Sequence, residues 1–150
     1  MPAQRPAQPL LHRIILLAVL GYEGLGGLVG GSLLIAGPDG RFMAMPVGIM
    51  HGVFRDFLIP GIVLFALGLV NVAAFIAVLR KTRVDWIVAS VATGGFMIWF
   101  GVEIVILREL HWLHAMWGLP VVLAGIATVS LLPFSQEDMT CPIRRRSSIN

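Results

Sequence analysis

Residues 11–36 read LHRIILLAVLGYEGLGGLVGGSLLIA. After Arg13 the run continues to Ala36 with one acidic or basic residue, Glu23, and with glycine at 24, 26, 27, 30 and 31. As a helix rising 1.5 Å per residue, that run is long enough to cross a hydrocarbon layer of about 30 Å. Its length marks a retained helix rather than the shorter apolar core of a secretory signal.

Three further apolar stretches follow, at about 57–79, 84–107 and 113–132. The chain is 57% hydrophobic and 13% charged, with a mean hydropathy of +0.88. That is too apolar for a soluble domain, whose surface needs more charge. Lipid offers the backbone no hydrogen-bond partners, and the stretches are too long and continuous for barrel strands, so helices are expected. The predicted fold is all-α: a polytopic membrane protein with four transmembrane helices in an up-down-up-down bundle over residues 11–133. A flexible leader, 1–10, precedes it and a polar tail, 134–150, follows.

The basic residues predict orientation. Arg5, Arg13, Arg80, Lys81, Arg83, Arg144, Arg145 and Arg146 fall on one side, eight of the eleven Lys and Arg. Arg41, Arg55 and Arg108 fall on the other. The positive-inside rule then puts both termini in the cytoplasm. The pI near 10.0 reflects this topology and anionic lipid, and nucleic acid is not an expected partner. The one cysteine, Cys141, lies in the tail, so no internal disulfide forms.

Gly37-Pro38-Asp39-Gly40 stops the first helix. The connection at 41–56, RFMAMPVGIMHGVFRD, is too apolar for a free loop and is expected to lie in the outer interface. Asp56 is placed to cap the second helix, and Pro60 falls near its first turn. Short polar turns join the later helices, with Trp112 and Trp117 as interface anchors and Pro120 inside the fourth helix.

Glu23 lies ~15 Å along the helix from Arg13, near the expected midplane. At 100° per residue, Gly24, Gly26, Gly27, Gly30 and Gly31 share its face, while Leu25 and Leu28 point away. Gly26-x-x-x-Gly30 and Gly27-x-x-x-Gly31 are small-x-x-x-small patterns that let another helix approach closely. No Lys or Arg is expected at this depth, so a neutral carboxyl is expected, with Thr93 or Asn71 as hydrogen-bond partners. A proton- or ligand-binding carboxylate and a packed structural carboxyl are both compatible with that pattern. Glu103 sits within about 7 Å of the outer end of the third helix, on a face with Phe96, Trp99 and Phe100. Either it forms a salt bridge with Arg108, His111, Arg41 or Arg55, or with the aromatics it lines a small pocket. His111-x-x-His114 places two imidazoles on one face and offers candidate ligands for a metal or a haem, although spacing fixes no third ligand.

No phosphate-binding loop, cysteine pair, HExxH or nucleophile elbow is present, which points away from a self-contained enzyme.

At GGLVGGSLLIAGPDG (26–40) and MPVGIMHGVFRDFLIPG (45–61), the chain resembles a group of small, uncharacterised bacterial four-helix inner-membrane proteins. The resemblance rests on Gly26-Gly27, Gly30-Gly31, Pro38-Asp39-Gly40, Met45-Pro46, Phe54, Asp56 and Pro60-Gly61. More distantly, the layout is similar to the DoxX-like family, four-helix proteins associated with quinone-linked redox systems. The resemblance implies a bacterial inner-membrane location and leaves activity open. Three readings stand at this point. The first is an auxiliary or structural subunit of a membrane complex, or a bundle binding lipid or quinone, working with other membrane subunits or as a homo-oligomer. The second is a proton-coupled transporter using Glu23. The third is a haem or metal redox protein using His111 and His114.

Overall fold

A computed structural model describes residues 10–108 and 112–129. The described residues form four α-helices: α1 (Leu10–Ala36), α2 (Leu58–Leu79), α3 (Asp85–Leu107) and α4 (Trp112–Val129). One 3₁₀ turn, Val47–Met50, interrupts the connection between α1 and α2. The first three helices are each long and apolar enough to cross a membrane. The described part of α4 has 18 residues and carries Pro120 inside it. At 1.5 Å per residue that is about 27 Å.

The helices neighbour one another in ring order. α1 packs most extensively on α2, α2 on α3, α3 on α4, and α4 returns to α1, while α1 and α3 barely meet. Glycine sets the closest of these contacts. A Cβ on Gly31 would lie 2.6 Å from the Phe65 nitrogen and 2.8 Å from the Gly61 carbonyl oxygen. One on Gly27 would lie 2.9 Å from Gly68 Cα. From the other side, a Cβ on Gly68 would lie 2.6 Å from the Leu28 nitrogen. Backbone therefore rests on backbone where Gly27 and Gly31 of α1 meet Gly61 and Gly68 of α2, and Gly24 continues the seam against Val72. Away from this seam Leu25, Val29, Ile62, Leu69, Val91, Ile98 and Val105 are exposed, the belt a lipid-facing surface requires.

At the end of the bundle holding the α1 N-terminus, Arg13 reaches across to α2. Its Nη2 donates to the carbonyls of Val78 at 2.6 Å and Leu79 at 3.1 Å. Both carbonyls belong to the last turn of α2, where a cation meets the negative end of the helix dipole. The sequence shows Arg13 as a topological charge; in the fold it also ties two helices together.

The connection between α1 and α2 folds back over the opposite end. Gly40 turns with φ of +81°, its carbonyl accepting from Met43 and Met45 N–H at 3.1 Å each. A Cβ at this position would strike the Met45 carbonyl oxygen, so glycine is required on two counts. Asp56 Oδ1 accepts from Leu58 N–H at 2.9 Å and caps α2. Between these points the segment packs inward. Met50 is 3% exposed and Phe57 5%, and both form a buried cluster with Leu34, flanked by Met45, Val47, Ile49, Phe54, Leu64 and Ile106. His51 Nδ1 lies 3.1 Å from the Ile106 carbonyl oxygen and ties the segment to the end of α3. The apolar stretch expected in the outer interface turns its side chains inward and forms a roof over this end of the bundle.

Candidate functional site

Beneath that roof lies a cavity of about 240 Å³. α1 contributes Glu23, Gly26, Gly27, Gly30 and Leu34 to its wall, and α3 contributes Phe96, Trp99, Phe100, Glu103, Ile106 and Leu107. The roof supplies Met43, Met45, Ile49, Met50, Phe54 and Phe57, and α2 supplies Pro60 and Leu64. Along α1 the lining runs from Glu23 to Leu34, about 16 Å of helix. The space reaches from the middle of the bundle to the roofed end.

Glu23 forms its inner limit. It stands thirteen residues from Leu10 and thirteen from Ala36, with roughly 20 Å of helix on either side. It is 2% exposed. Neither Oε1 nor Oε2 has a hydrogen-bond partner among the described residues. A buried polar group left without a partner is costly, and such groups mark sites of strain, chemistry or ligand binding.

The two groups expected to satisfy it do not. Asn71, also 2% exposed, packs beside Gly24 and turns its amide along its own helix, Nδ2 donating to the Leu67 carbonyl at 2.9 Å. Thr93 is buried with its methyl toward Gly125 of α4, and its hydroxyl has no partner among the described residues. Both lie outside the cavity wall. An amide or hydroxyl in a helix can bond the carbonyl four residues back, a local solution that competes with any bond across the bundle.

Glu103 and Trp99 do line the space. They lie four residues apart on α3, with Glu103 about 6 Å of helix from its end. The indole N–H of Trp99 faces the Glu103 carboxyl but does not reach hydrogen-bond geometry. The expected salt bridge to Glu103 is absent among the described residues. Arg41 turns instead to its own segment, with Nε 3.7 Å from Asp39 Oδ1, Nη2 3.4 Å from the Ala36 carbonyl, and its guanidinium 4.9 Å from the Phe42 ring centre. Phe96 and Phe100 stand with ring centres 6.4 Å apart and planes tilted by 38°.

The glycines divide between two tasks. Gly27 and Gly31 carry the backbone contact with α2, and Gly26, Gly27 and Gly30 border the cavity, so Gly27 takes part in both. His111 lies outside the described residues, and of His114 only its backbone place in α4 is described. No group of three or more His, Cys, Asp or Glu able to hold a metal occurs among the described residues.

The roof residues Met43, Met45, Ile49, Met50, Phe54 and Phe57 were not foreseen as lining. Their signal was present, since a polar-edged connection has no reason to hold six large apolar side chains unless it covers something. Gly61 and Gly68, whose seven-residue spacing places them on one face of α2, two turns apart, were not foreseen either.

Comparison with protein-family models, with curated proteins and with solved structures finds no match.

Proposed function

We propose that the protein is a four-span bundle of the bacterial inner membrane that takes a small, largely apolar molecule, of the lipid or quinone class, into the cavity beneath its roof. Both termini face the cytoplasm in this reading, and the roofed end faces outward. The observation that carries it is the pairing of an apolar cavity with a buried carboxyl, Glu23, whose two oxygens have no partner. A subunit that only packs against others has no need of such a space, which sacrifices dispersion contacts along its whole lining. Binding sites are concave and mostly apolar, with a few polar groups that orient the ligand, and this space has that composition. At about 240 Å³ it lies below the range of drug-sized pockets and suits a single ring or a short chain.

The test is a native mass spectrum of the full chain extracted gently from its own membranes, compared with that of Gly30→Leu, which puts a side chain into the cavity. The expected result is a small bound mass on the wild type that the variant lacks. A wild-type spectrum of chain alone, or the same mass on both proteins, would sink the reading. Companion chains without a small molecule would favour the auxiliary-subunit reading.

The bare Glu23 carboxyl also favours a second reading, proton-coupled transport, in which it exchanges a proton for the ligand. Uptake or efflux by everted vesicles that persists in Glu23→Gln would exclude it.

A further inference from the structure

The polar groups in the cavity specify the ligand more narrowly than its size does. Among the described lining residues there are two carboxylic acids, Glu23 and Glu103, and no Lys, Arg or His. The one fixed donor on a described lining side chain is the Trp99 indole, which has no hydrogen-bond partner. Carboxyl groups keep acceptor oxygens in either protonation state. A quinone or a phosphate headgroup presents acceptors of its own, so it would leave most of those oxygens unanswered. An ammonium group answers them, because it brings positive charge and, where protonated, hydrogen-bond donors. The walls agree with that assignment. Phe96, Trp99 and Phe100 border the same space as Glu103, and aromatic faces attract cations most strongly where water is excluded.

We propose that the cavity selects an organic cation: an amine or quaternary ammonium with a compact apolar body, its charge seated at Glu23 and its entry favoured by Glu103. This rests on the ligand-binding reading above and narrows it from lipid or quinone to an ammonium-bearing amphiphile. Seating a cation at Glu23 also removes the anomaly of an unpartnered carboxyl in the middle of the bundle, because a buried charge is tolerated when it is paired.

The experiment compares two probes of nearly identical shape, benzyltrimethylammonium and its uncharged carbon isostere neopentylbenzene. Binding to the full chain in detergent is measured by equilibrium dialysis, corrected for partition into protein-free micelles. The expected result is a Kd for the cation at least about tenfold below that for the isostere. Glu23→Gln is expected to weaken the cation by about tenfold. Equal or tighter binding of the isostere by the wild type overturns the cation assignment and leaves the binding reading standing. Failure of both probes to bind overturns both proposals. A preference for the cation that survives undiminished in Glu23→Gln overturns Glu23 as the seat. The wild-type comparison needs no substitution, so it decides the charge question even if Glu23→Gln does not fold.

Discussion

Gly31→Ala tests the central contact of the fold. The added methyl would sit 2.6 Å from the Phe65 nitrogen and 2.8 Å from the Gly61 carbonyl oxygen, and both are backbone atoms that cannot rotate away. Restoring ordinary separation requires α1 and α2 to part by about 1 Å, which forfeits a quarter to a half of the dispersion well for atoms along the seam. Overpacking of this kind costs about 1–3 kcal/mol. Gly94→Ala on α3 is the control. Nothing lies within 4 Å of its Cβ position, so only the helix-propensity gain of about 1 kcal/mol remains. Both variants gain the same helix propensity, so unfolding in mixed micelles with increasing denaturing detergent should separate them by the overpacking cost, about 1–3 kcal/mol. Gly68→Ala, whose methyl would meet the Leu28 nitrogen at 2.6 Å, should resemble Gly31→Ala. The double variant should cost less than the sum, because one displacement of the helix relieves both clashes. If Gly31→Ala and Gly94→Ala unfold together, or if the two seam variants add fully, the backbone-on-backbone account is wrong.

Replacing Arg13 by Met keeps the stem but removes the donors to the Val78 and Leu79 carbonyls; a loss of about 1–2 kcal/mol is expected in the same unfolding assay. Gly40→Ala places a side chain at positive φ against the Met45 carbonyl, so the roof should loosen, seen as faster hydrogen exchange at Met43 and Met45 while α3 amides are unchanged. Asp56→Ala removes the Leu58 cap and should lower stability by about 1 kcal/mol, read by thermal unfolding in detergent.

Much of this architecture was legible in the sequence. Long apolar runs with glycine, proline and charge between them dictate helices wherever lipid is the solvent, and that argument needs only length and composition. It also marked Glu23 as exceptional. Three things escaped it. Periodicity gives the face of a helix but not which neighbour that face meets, so Gly26 and Gly30 could not be told from Gly27 and Gly31. Depth along the bundle suggested Asn71 and Thr93 for Glu23, but depth leaves azimuth open, and Asn71 had a carbonyl of its own helix within reach. The segment 41–56 was seen to be apolar, but composition does not say what its side chains cover. The difference lies in tertiary anchors such as His51 on Ile106, which no local pattern contains.

The run of glycine around Glu23 follows from the two ridges that leave any residue on a helix. Counting by fours from Glu23 gives Gly27 and Gly31, the ridge that seats α1 on α2. Steps of three and seven give Gly26 and Gly30, which border the cavity beside Gly27. Gly27 and Gly31 must be glycine for packing; Gly30 has no such need. A Cβ on Gly30 would meet only the far end of the Leu64 side chain, at 3.3 Å, which can rotate aside. Gly30→Ala should therefore leave the fold as stable as the wild type or stabilise it by up to about 1 kcal/mol, while shrinking the space available to a ligand. The expected outcome is a midpoint of unfolding equal to or above that of the wild type, together with weaker binding of benzyltrimethylammonium. Loss of stability in Gly30→Ala comparable to that in Gly31→Ala would mean that both rows serve packing, and the cavity would then be a by-product of how the helices meet. Stability retained with binding lost would mean that glycine is kept at this position for what the space holds.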